Sequence, residues 1–208
     1  MNTYFISDLH FDHANIIRLC NRPFTDLNHM TETIIQNWQA IVRDDDLVYV
    51  LGDFAFNYQN VPKYLSRLPG KKRLVIGNHE KKLFQEVWKL SNTVDKYYKF
   101  YLDAGFEQID TTGSIMIGTI PVLLSHFPYR VDNPEPTYDD RYRAMRLIDS
   151  GLFLIHGHRH DKAPFYNGAR QFNVSVEVTN YTPVSLDIIR RIITDDSSTI
   201  VPNLTKLY

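Results

Sequence analysis

Residues that can bind metal ions or transfer protons recur along the chain, each directly after a short apolar run. Asp8 and His10 follow the first of these runs, and His158 and His160 follow a later one. Because residues i and i+2 of an extended segment point the same way, each pair could bind one metal ion. The full set of ligand candidates is Asp8, His10, Asp53, Asn78, His126, His158 and His160.

The chemistry of this set indicates which metals it would bind. Two aspartates, one asparagine and four histidines suit manganese, iron or zinc better than calcium, and the lack of a thiolate disfavours a structural zinc site. Seven ligands are too many for one tetrahedral ion, so they predict two divalent ions that share one carboxylate. Sites with two metal ions about 3.5–4 Å apart catalyse in-line displacement at phosphorus.

The elements that would position these side chains alternate between strand and helix in the first half of the chain. Apolar runs predict strands over 4–7, 47–51 and 73–76, and helical spacing predicts helices over 31–42, 61–68 and 80–90. This alternation is typical of a parallel α/β layer, in which ligands bind beyond the carboxyl ends of the strands. We therefore expect the candidate ligands to converge on one place.

The second half of the chain carries shorter elements, several of them separated by glycine or proline. Strands are predicted over 106–111, 114–118, 121–125, 152–156 and 173–178, with a helix over 138–148. The stretch 128–137 contains three prolines and is the best candidate for a long loop. Substrate specificity would lie in loops of this kind.

The composition is that of an ordinary globular chain. Its 208 residues, 43% of them hydrophobic, predict a single domain over 1–208 rather than a disordered chain. The formal charge of −1 gives no broad attraction to nucleic acid or to an anionic membrane. The longest apolar stretch, 115–124, is shorter than the roughly 20 residues of a spanning helix. No export signal is visible, and Cys20 is the one cysteine, so the chain is expected to be cytoplasmic and not bound to membranes. The Cys20 thiol is expected to be buried and inert.

Five short motifs, taken in order, resemble those of the calcineurin-like metallophosphoesterase family, in its small bacterial and phage-type branch. They are Asp8-x-His10, Gly52-Asp53, Gly77-Asn78-His79-Glu80, His126 and Gly157-His158-x-His160. Each motif is weak alone, but the ordered series, which spans residues 8 to 160, is very specific. The resemblance implies a four-layer α/β/β/α sandwich of two mixed sheets flanked by helices, with a dinuclear metal centre.

The resemblance also implies a role for each matching residue. The first ion would be bound by Asp8, His10 and His160, the second by Asn78, His126 and His158, and Asp53 would bridge the two. His79 would contact the phosphate and protonate the leaving oxygen as a general acid, so that His79 and Asp53 are the expected catalytic residues. The substrate would contact Asn78 and His79, and His13 is a further candidate because it lies just after the first motif.

Glu80 departs from the family pattern, which usually has an aspartate at this place. If the acid orients His79, the additional methylene group of glutamate changes its reach. The role of Glu80 is therefore open at this point.

The expected function is metal-dependent hydrolysis of a phosphodiester or phosphomonoester, by in-line attack of a metal-bridging hydroxide. A diester is favoured because small members of the family often cleave diesters, and manganese is the expected metal in an assay, with zinc, iron or nickel as alternatives. One alternative function is a nuclease acting on DNA or RNA, although the chain lacks a basic excess. The other is a non-catalytic interaction module, which the complete ligand set disfavours. The sequence does not indicate an oligomeric state.

Overall fold

A five-stranded mixed sheet carries the first three motifs. The computed structural model describes residues 1–89, 92–131, 141–164 and 170–194. Four strands of the first sheet are parallel neighbours, and a short fifth strand is antiparallel to the first of them. In sequence order they are β1 (Thr3–Ile6), β2 (Leu47–Val50), β3 (Lys71–Val75), β4 (Phe106–Asp110) and, much later in the chain, β9 (Val184–Ser185), and their spatial order is β4-β3-β2-β1-β9.

A four-stranded mixed sheet carries the last two motifs. Its strands are β5 (Thr112–Ile117), β6 (Ile120–Ser125), β7 (Phe153–His156) and β8 (Gln171–Asn173), in that spatial order. The first two strands form an antiparallel hairpin, and the pairs β6–β7 and β7–β8 are parallel. The motifs after β6 and β7 therefore leave the second sheet at the same edge.

Helices cover the sheets. They are α1 (Ala14–Leu19), α2 (Leu27–Ile41), α3 (Val61–Leu65), α4 (Lys81–Trp88), α5 (Val94–Ala104) and α6 (Leu186–Thr194), together with 3₁₀ turns at Tyr58–Asn60 and Arg143–Met145. The longest, α2, begins where the Asp26 side chain accepts the backbone N–H of His29 at 2.8 Å, an N-cap bond. It then buries Ile34 and Trp38 against the first sheet. None of the helices described has the length and apolar character needed to cross a bilayer.

Two hydrophobic clusters fix the layers. Successive residues of β1 alternate between them, since Ile6 packs in the cluster with α2 and α3, whereas Phe5 packs with Ile155 and Phe172 of the second sheet. The second cluster thus lies between the two sheets. The expected fold, two mixed sheets flanked by helices, is confirmed.

The helix predicted over 138–148 is wrong where the structure describes it. Residues 141–150 contain only the 3₁₀ turn Arg143–Met145. Tyr142 has a left-handed backbone with φ 64°, which an α-helix cannot contain, and its ring packs 5.3 Å from that of Phe127. The aromatic packing of Tyr142, rather than the periodicity of the sequence, therefore determines the backbone conformation of this segment. Of the predicted loop 128–137, residues 128–131 are neither helix nor strand, and the others lie outside the described residues.

The strand predicted over 173–178 is also wrong, because β8 ends at Asn173. There the Asn173 Oδ1 accepts the backbone N–H of Ser175 at 3.0 Å, which turns the chain. The chain then crosses to the first sheet, where Ser7 N–H donates to Val174 O at 3.0 Å. This crossing joins the two sheets directly beside the first motif. Helices α1, α5 and α6 are further elements that the sequence did not predict.

Candidate metal centre

The five motifs meet where the two sheets approach each other. Ile6 of β1 lies beside Val50 of β2, so Asp8 and Asp53 leave the first sheet at the same edge. Backbone bonds then tie the two turns together, with His10 N–H donating to Asp53 O at 3.0 Å. The second sheet supplies the later histidines from the ends of β6 and β7.

Four of the candidate ligands have a left-handed backbone, which only glycine adopts without cost. The φ angles are 62° at Asp8, 52° at His10, 56° at Asp53 and 68° at His158. Such residues cost about 1–3 kcal/mol each and persist where the surrounding structure holds them. The surrounding structure therefore holds the backbone in a constrained conformation at these four residues, whose side chains lie close to one another.

The first pocket is formed by Asp8, His10, Asp53 and His160. The Nε2 atoms of His10 and His160 lie 3.3 Å apart, and the Asp8 Oδ1 lies 3.5 Å from the latter. The Asp53 Oδ2 lies 3.5 Å from the His10 Nε2. Asp8, His10 and Asp53 are almost fully buried.

The second pocket is formed by Asp53, Asn78, His126 and His158. The Nε2 of His126 lies 3.6 Å from the same Asp53 Oδ2 and 3.1 Å from the Asn78 Oδ1. The rings of His126 and His158 are 5.1 Å apart. The Asp53 Oδ2 therefore lies within 3.6 Å of a histidine nitrogen in each pocket.

These residues fit divalent cations. The Asp8 Oδ1 and the His158 Nε2 are buried and have no hydrogen-bond partner among the described residues, a costly arrangement unless something positive satisfies them. Potential ligand atoms also lie within 4.8 Å of one another in the groups Asp8–His10–His160 and Asp8–Asp53–His126. Oxygen and imidazole nitrogen together are the ligands of manganese, iron, zinc and similar ions.

The ligands are held by bonds to their far sides. The Asp8 Oδ2 accepts from Ser7 Oγ at 2.5 Å, from Ser175 Oγ at 2.9 Å and from the His158 backbone N–H at 2.9 Å, which leaves Oδ1 for the first pocket. The His126 Nδ1–H donates to Leu51 O at 2.8 Å, so its Nε2 faces the second pocket. Burial opposes the charged form of Asp8, but the nearby His160 and His126 outweigh it and lower its pKa to about 2.

Glu80 accepts hydrogen bonds from the backbone and does not contact the His79 ring through Nδ1. Its fully buried carboxylate accepts the N–H groups of Asp53 at 2.9 Å, Phe54 at 2.8 Å and Gly77 at 2.7 Å. The His79 Nδ1 has no partner in the parts of the chain described, so Glu80 does not orient the ring through that atom. Burial and the charge of Asp53 raise the pKa of Glu80 to about 7, against the three N–H bonds that lower it.

His79 and His13 lie on one flank of the pockets. The His79 ring meets that of His10 edge-on at 4.8 Å, and the His13 ring stacks on Phe56 at 4.3 Å. Burial, His13 and Lys81 lower the pKa of His79 to about 4, so its ring is neutral at pH 7. The Lys81 ammonium lies 3.9 Å from the centre of the Phe56 ring. This flank thus combines imidazole, an exposed aromatic ring and a cation.

A second flank, next to His158, is walled mainly by apolar side chains, with Arg146 among them. The Phe127 ring lies 4.8 Å from that of His158, and it lines a groove of about 200 Å³ together with Phe84, Trp88 and Met145. The sequence did not reveal this groove, because its walls come from α4, the end of β6 and the turn at 143–145. The two flanks differ in character.

Sequence reasoning missed three residues that support the pockets, Arg22, Ser175 and Glu177. Glu177 accepts the His160 Nδ1–H at 2.9 Å, and Arg22 in turn donates to Glu177. None of the three belongs to a motif with a recognisable spacing. Cys20, expected to be an inert buried thiol, is half-buried and lies within 4.8 Å of ligand atoms of Glu177 and His160.

The fold and the site define a phosphoesterase of the calcineurin-like class. The chain matches the sequence profile of the calcineurin-like phosphoesterase family over residues 1–199, and it belongs to that family. The expected resemblance is thereby confirmed, and metal-dependent hydrolysis of phosphate esters is the chemistry of this class.

Similar proteins come from an archaeon, a bacteriophage and a bacterium. The chain is 37% identical over 200 residues to the uncharacterized protein MJ1445 of Methanocaldococcus jannaschii, covering 91% of this chain and 90% of that protein. It is 34% identical to the gene 66 protein of Mycobacterium phage L5, covering 76% and 77% of the two chains. The crystal structure of the protein of unknown function AQ665 from Aquifex aeolicus matches with a TM-score of 0.65 at 28% identity, covering 92% of this chain and 98% of that one.

Proposed function

We propose that this protein hydrolyses phosphate diesters with two divalent metal ions. The single observation that carries the proposal is the position of the Asp53 Oδ2, which lies 3.5 Å from the His10 Nε2 and 3.6 Å from the His126 Nε2. One carboxylate oxygen that faces both ligand sets is the arrangement that a bridged pair of ions requires. Asp8, His10 and His160 would complete the ligands of the first ion, and Asn78, His126 and His158 those of the second.

Two divalent ions in these pockets would activate a water molecule for in-line attack on phosphorus and neutralise the phosphate oxygens. The chain would position these ions by holding the carboxylates of Asp8 and Asp53 through the oxygen that faces away from them. The Asp53 Oδ1 accepts the backbone N–H of His79 at 2.7 Å, so the bridging ligand and the proposed acid are joined. Manganese is the metal of choice for an assay, and zinc, iron or nickel would suit the same ligands.

His79 is the proposed general acid. Its ring meets the His10 ring edge-on at 4.8 Å, which places it at the margin of the first pocket. A substrate phosphate against the ring would favour its protonated form, because a nearby negative charge raises the pKa of an imidazole. The ring would then protonate the oxygen of the leaving group, and Asn78 and His13 are further candidates for substrate contact.

The two flanks support a diester rather than a monoester. A phosphate diester carries two organic groups, each bonded to phosphorus through an oxygen, and each group needs a surface. Phe56, His13 and Lys81 offer one surface beside His79, and the groove at Phe127 offers the other beside His158. A monoester would leave one of these surfaces without a role.

The test compares turnover of bis(p-nitrophenyl) phosphate and p-nitrophenyl phosphate by the manganese-loaded protein and by Asp53→Asn. We expect faster turnover of the diester, and loss of both activities in the variant because the amide cannot supply a shared anionic oxygen. The control is Asp103→Asn, which alters an exposed carboxylate paired with Lys99. Unchanged turnover in Asp53→Asn would overturn the proposal.

The same assay separates the alternatives. Turnover of single- or double-stranded DNA that exceeds turnover of the small diester would favour the nuclease. A purified protein that binds less than one ion per chain would favour the non-catalytic module.

A further inference from the structure

A buried ion pair joins Arg22 to Glu177 beside the first pocket. The side chains are 0% and 1% exposed, and the Arg22 Nη2 lies 2.8 Å from the Glu177 Oε1. The Arg22 Nε donates to the same oxygen, also at 2.8 Å. Burying two charges is costly even when they are paired, so a gain in stability does not by itself explain a buried ion pair. The position of this pair beside the candidate metal ligands suggests a role in the site.

Arg22 also fixes the backbone of the first motif. Its Nη2 donates to Asp8 O at 2.8 Å, and its Nη1 donates to Leu9 O at 3.1 Å. These carbonyls belong to the turn in which Asp8 and His10 adopt left-handed conformations. The planar guanidinium, with its fixed fork of donors, can hold this turn and a carboxylate at once, which a lysine could not.

Glu177 fixes the orientation of His160 from the other side. The His160 Nδ1–H donates to the Glu177 Oε1 at 2.9 Å. With the proton on Nδ1, the lone pair of Nε2 faces the first pocket, where it lies 3.5 Å from the Asp8 Oδ1. A carboxylate that accepts from the far nitrogen of a ligating histidine fixes its tautomer and makes it a stronger ligand.

The bonds of Glu177 are concentrated on one oxygen. Oε1 accepts from Arg22 and His160, whereas the buried Oε2 has no hydrogen-bond partner within the described ranges. Arginine–carboxylate pairs are frequently bidentate, with each of the two oxygens accepting one bond. The geometry instead directs one oxygen to the arginine and the histidine together.

We infer that Glu177 is a positioning residue for the first metal ion, and that Arg22 holds it there. The inference rests on the metal binding proposed above. The guanidinium of Arg22 supports the turn that carries Asp8 and His10. By holding Glu177, it also supports the ring of His160. Loss of the Glu177 charge should therefore loosen the first ion and spare the second, whose own ligands, Asn78, His126 and His158, it does not touch.

The test titrates the full-length, metal-stripped protein with zinc in a calorimeter. We expect the unaltered chain to bind two ions and Glu177→Gln to bind one of them about 10–100-fold more weakly. The matched control is Glu32→Gln, because Glu32 also pairs with an arginine, Arg67, at 2.6 Å but lies outside both pockets. Two unchanged affinities in Glu177→Gln would overturn the inference, whereas an unaltered chain that binds no zinc would overturn the proposed function instead.

A second measurement needs no variant and so does not depend on whether Glu177→Gln folds. Nitrogen-15 chemical shifts of the histidine rings in the zinc-loaded protein report which nitrogen carries the proton. We expect His160 to be protonated at Nδ1 and bound to zinc through Nε2. Zinc at Nδ1, or a proton at Nε2, would overturn the inference.

Discussion

The carboxylate of Glu80 anchors the backbone of Asp53, whose N–H it accepts at 2.9 Å. The same side chain also accepts the N–H groups of Phe54 and Gly77, so one buried acid closes the turns of two neighbouring strands. The position of the shared carboxylate therefore depends on the length of the side chain at position 80.

Glu80→Asp, which introduces the residue usual in the family, should lower the stability and the activity of this protein. The shorter side chain cannot reach all three N–H groups, and each buried N–H left unpaired costs about 1–3 kcal/mol. We expect the free energy of unfolding in urea to fall by about that amount, and turnover of the diester to fall with it. Glu107→Asp on the exposed side of β4 is the control. Equal stability of Glu80→Asp and the unaltered chain would contradict this account.

Replacing His79 with alanine should slow the chemistry without removing metal. General acid catalysis contributes typically 10²–10⁴-fold, so we expect kcat for a phenyl diester to fall by about that factor. The loss should be much smaller for bis(p-nitrophenyl) phosphate, whose leaving group needs no proton. Metal content measured by atomic emission should be unchanged. An equal loss for both substrates would remove His79 from the acid role.

Gly157→Ala should disrupt the first pocket through steric collision. A Cβ at position 157 would overlap Ser7 Oγ and the Asp8 Oδ2. We expect a loss of about 1–3 kcal/mol of stability, the usual cost of overpacking, and weaker binding of one metal ion. At Gly118 a Cβ meets nothing within 4 Å, although φ is +63°, so Gly118→Ala should keep full metal content. Intact metal binding in Gly157→Ala would show that the crowding is relieved elsewhere.

Asp46 should make the metal-free protein more stable above the pKa of its carboxyl group than below it. Hydrogen bonds from the backbone N–H groups of Asn2, at 2.5 Å, and Arg43, at 3.0 Å, lower the pKa of Asp46 below its ordinary 3.8. The stabilisation is therefore full above pH 3.8 and is lost as the pH falls through the lowered pKa.

The measurement is urea unfolding of Asp46→Asn at several pH values. We expect a deficit of about 1 kcal/mol at pH 7 relative to the unaltered chain, which shrinks below pH 3.8. Asp45→Asn is the control, because Asp45 is 74% exposed and its pair with the N-terminus is worth little. A deficit that does not change with pH would assign the effect to shape rather than charge.

The candidate ligands could be singled out in the sequence because each follows a strand and has a distinctive type, and the structure brings them together. The residues that support them could not. Arg22 and Glu177 are 155 positions apart, and neither stands at a regular distance from a motif. Their partnership arises only when the segment after β8 crosses to the first sheet, which is a property of the folded chain.

Two predicted elements failed because local side-chain bonds and tertiary packing overrode sequence patterns. The alternation over 173–178 is typical of a strand, yet Asn173 turns the chain by accepting the backbone N–H of Ser175. The apolar spacing over 138–148 suggested a helix, whereas Tyr142 adopts a left-handed conformation against Phe84 and Phe127. Aromatic contacts between distant segments are invisible to periodicity.

The bond between Ser175 Oγ and the Asp8 Oδ2 spans 167 positions of the chain. At ribosomal rates of roughly 5–20 residues per second, Ser175 is made roughly 8–33 s after Asp8. Until then the Asp8 carboxylate lacks two of its partners, Ser175 Oγ and the backbone N–H of His158. If the chain binds two metal ions as proposed, metal loading is therefore a late step, because a nascent chain stalled before position 158 would lack His158 and His160, one candidate ligand of each pocket.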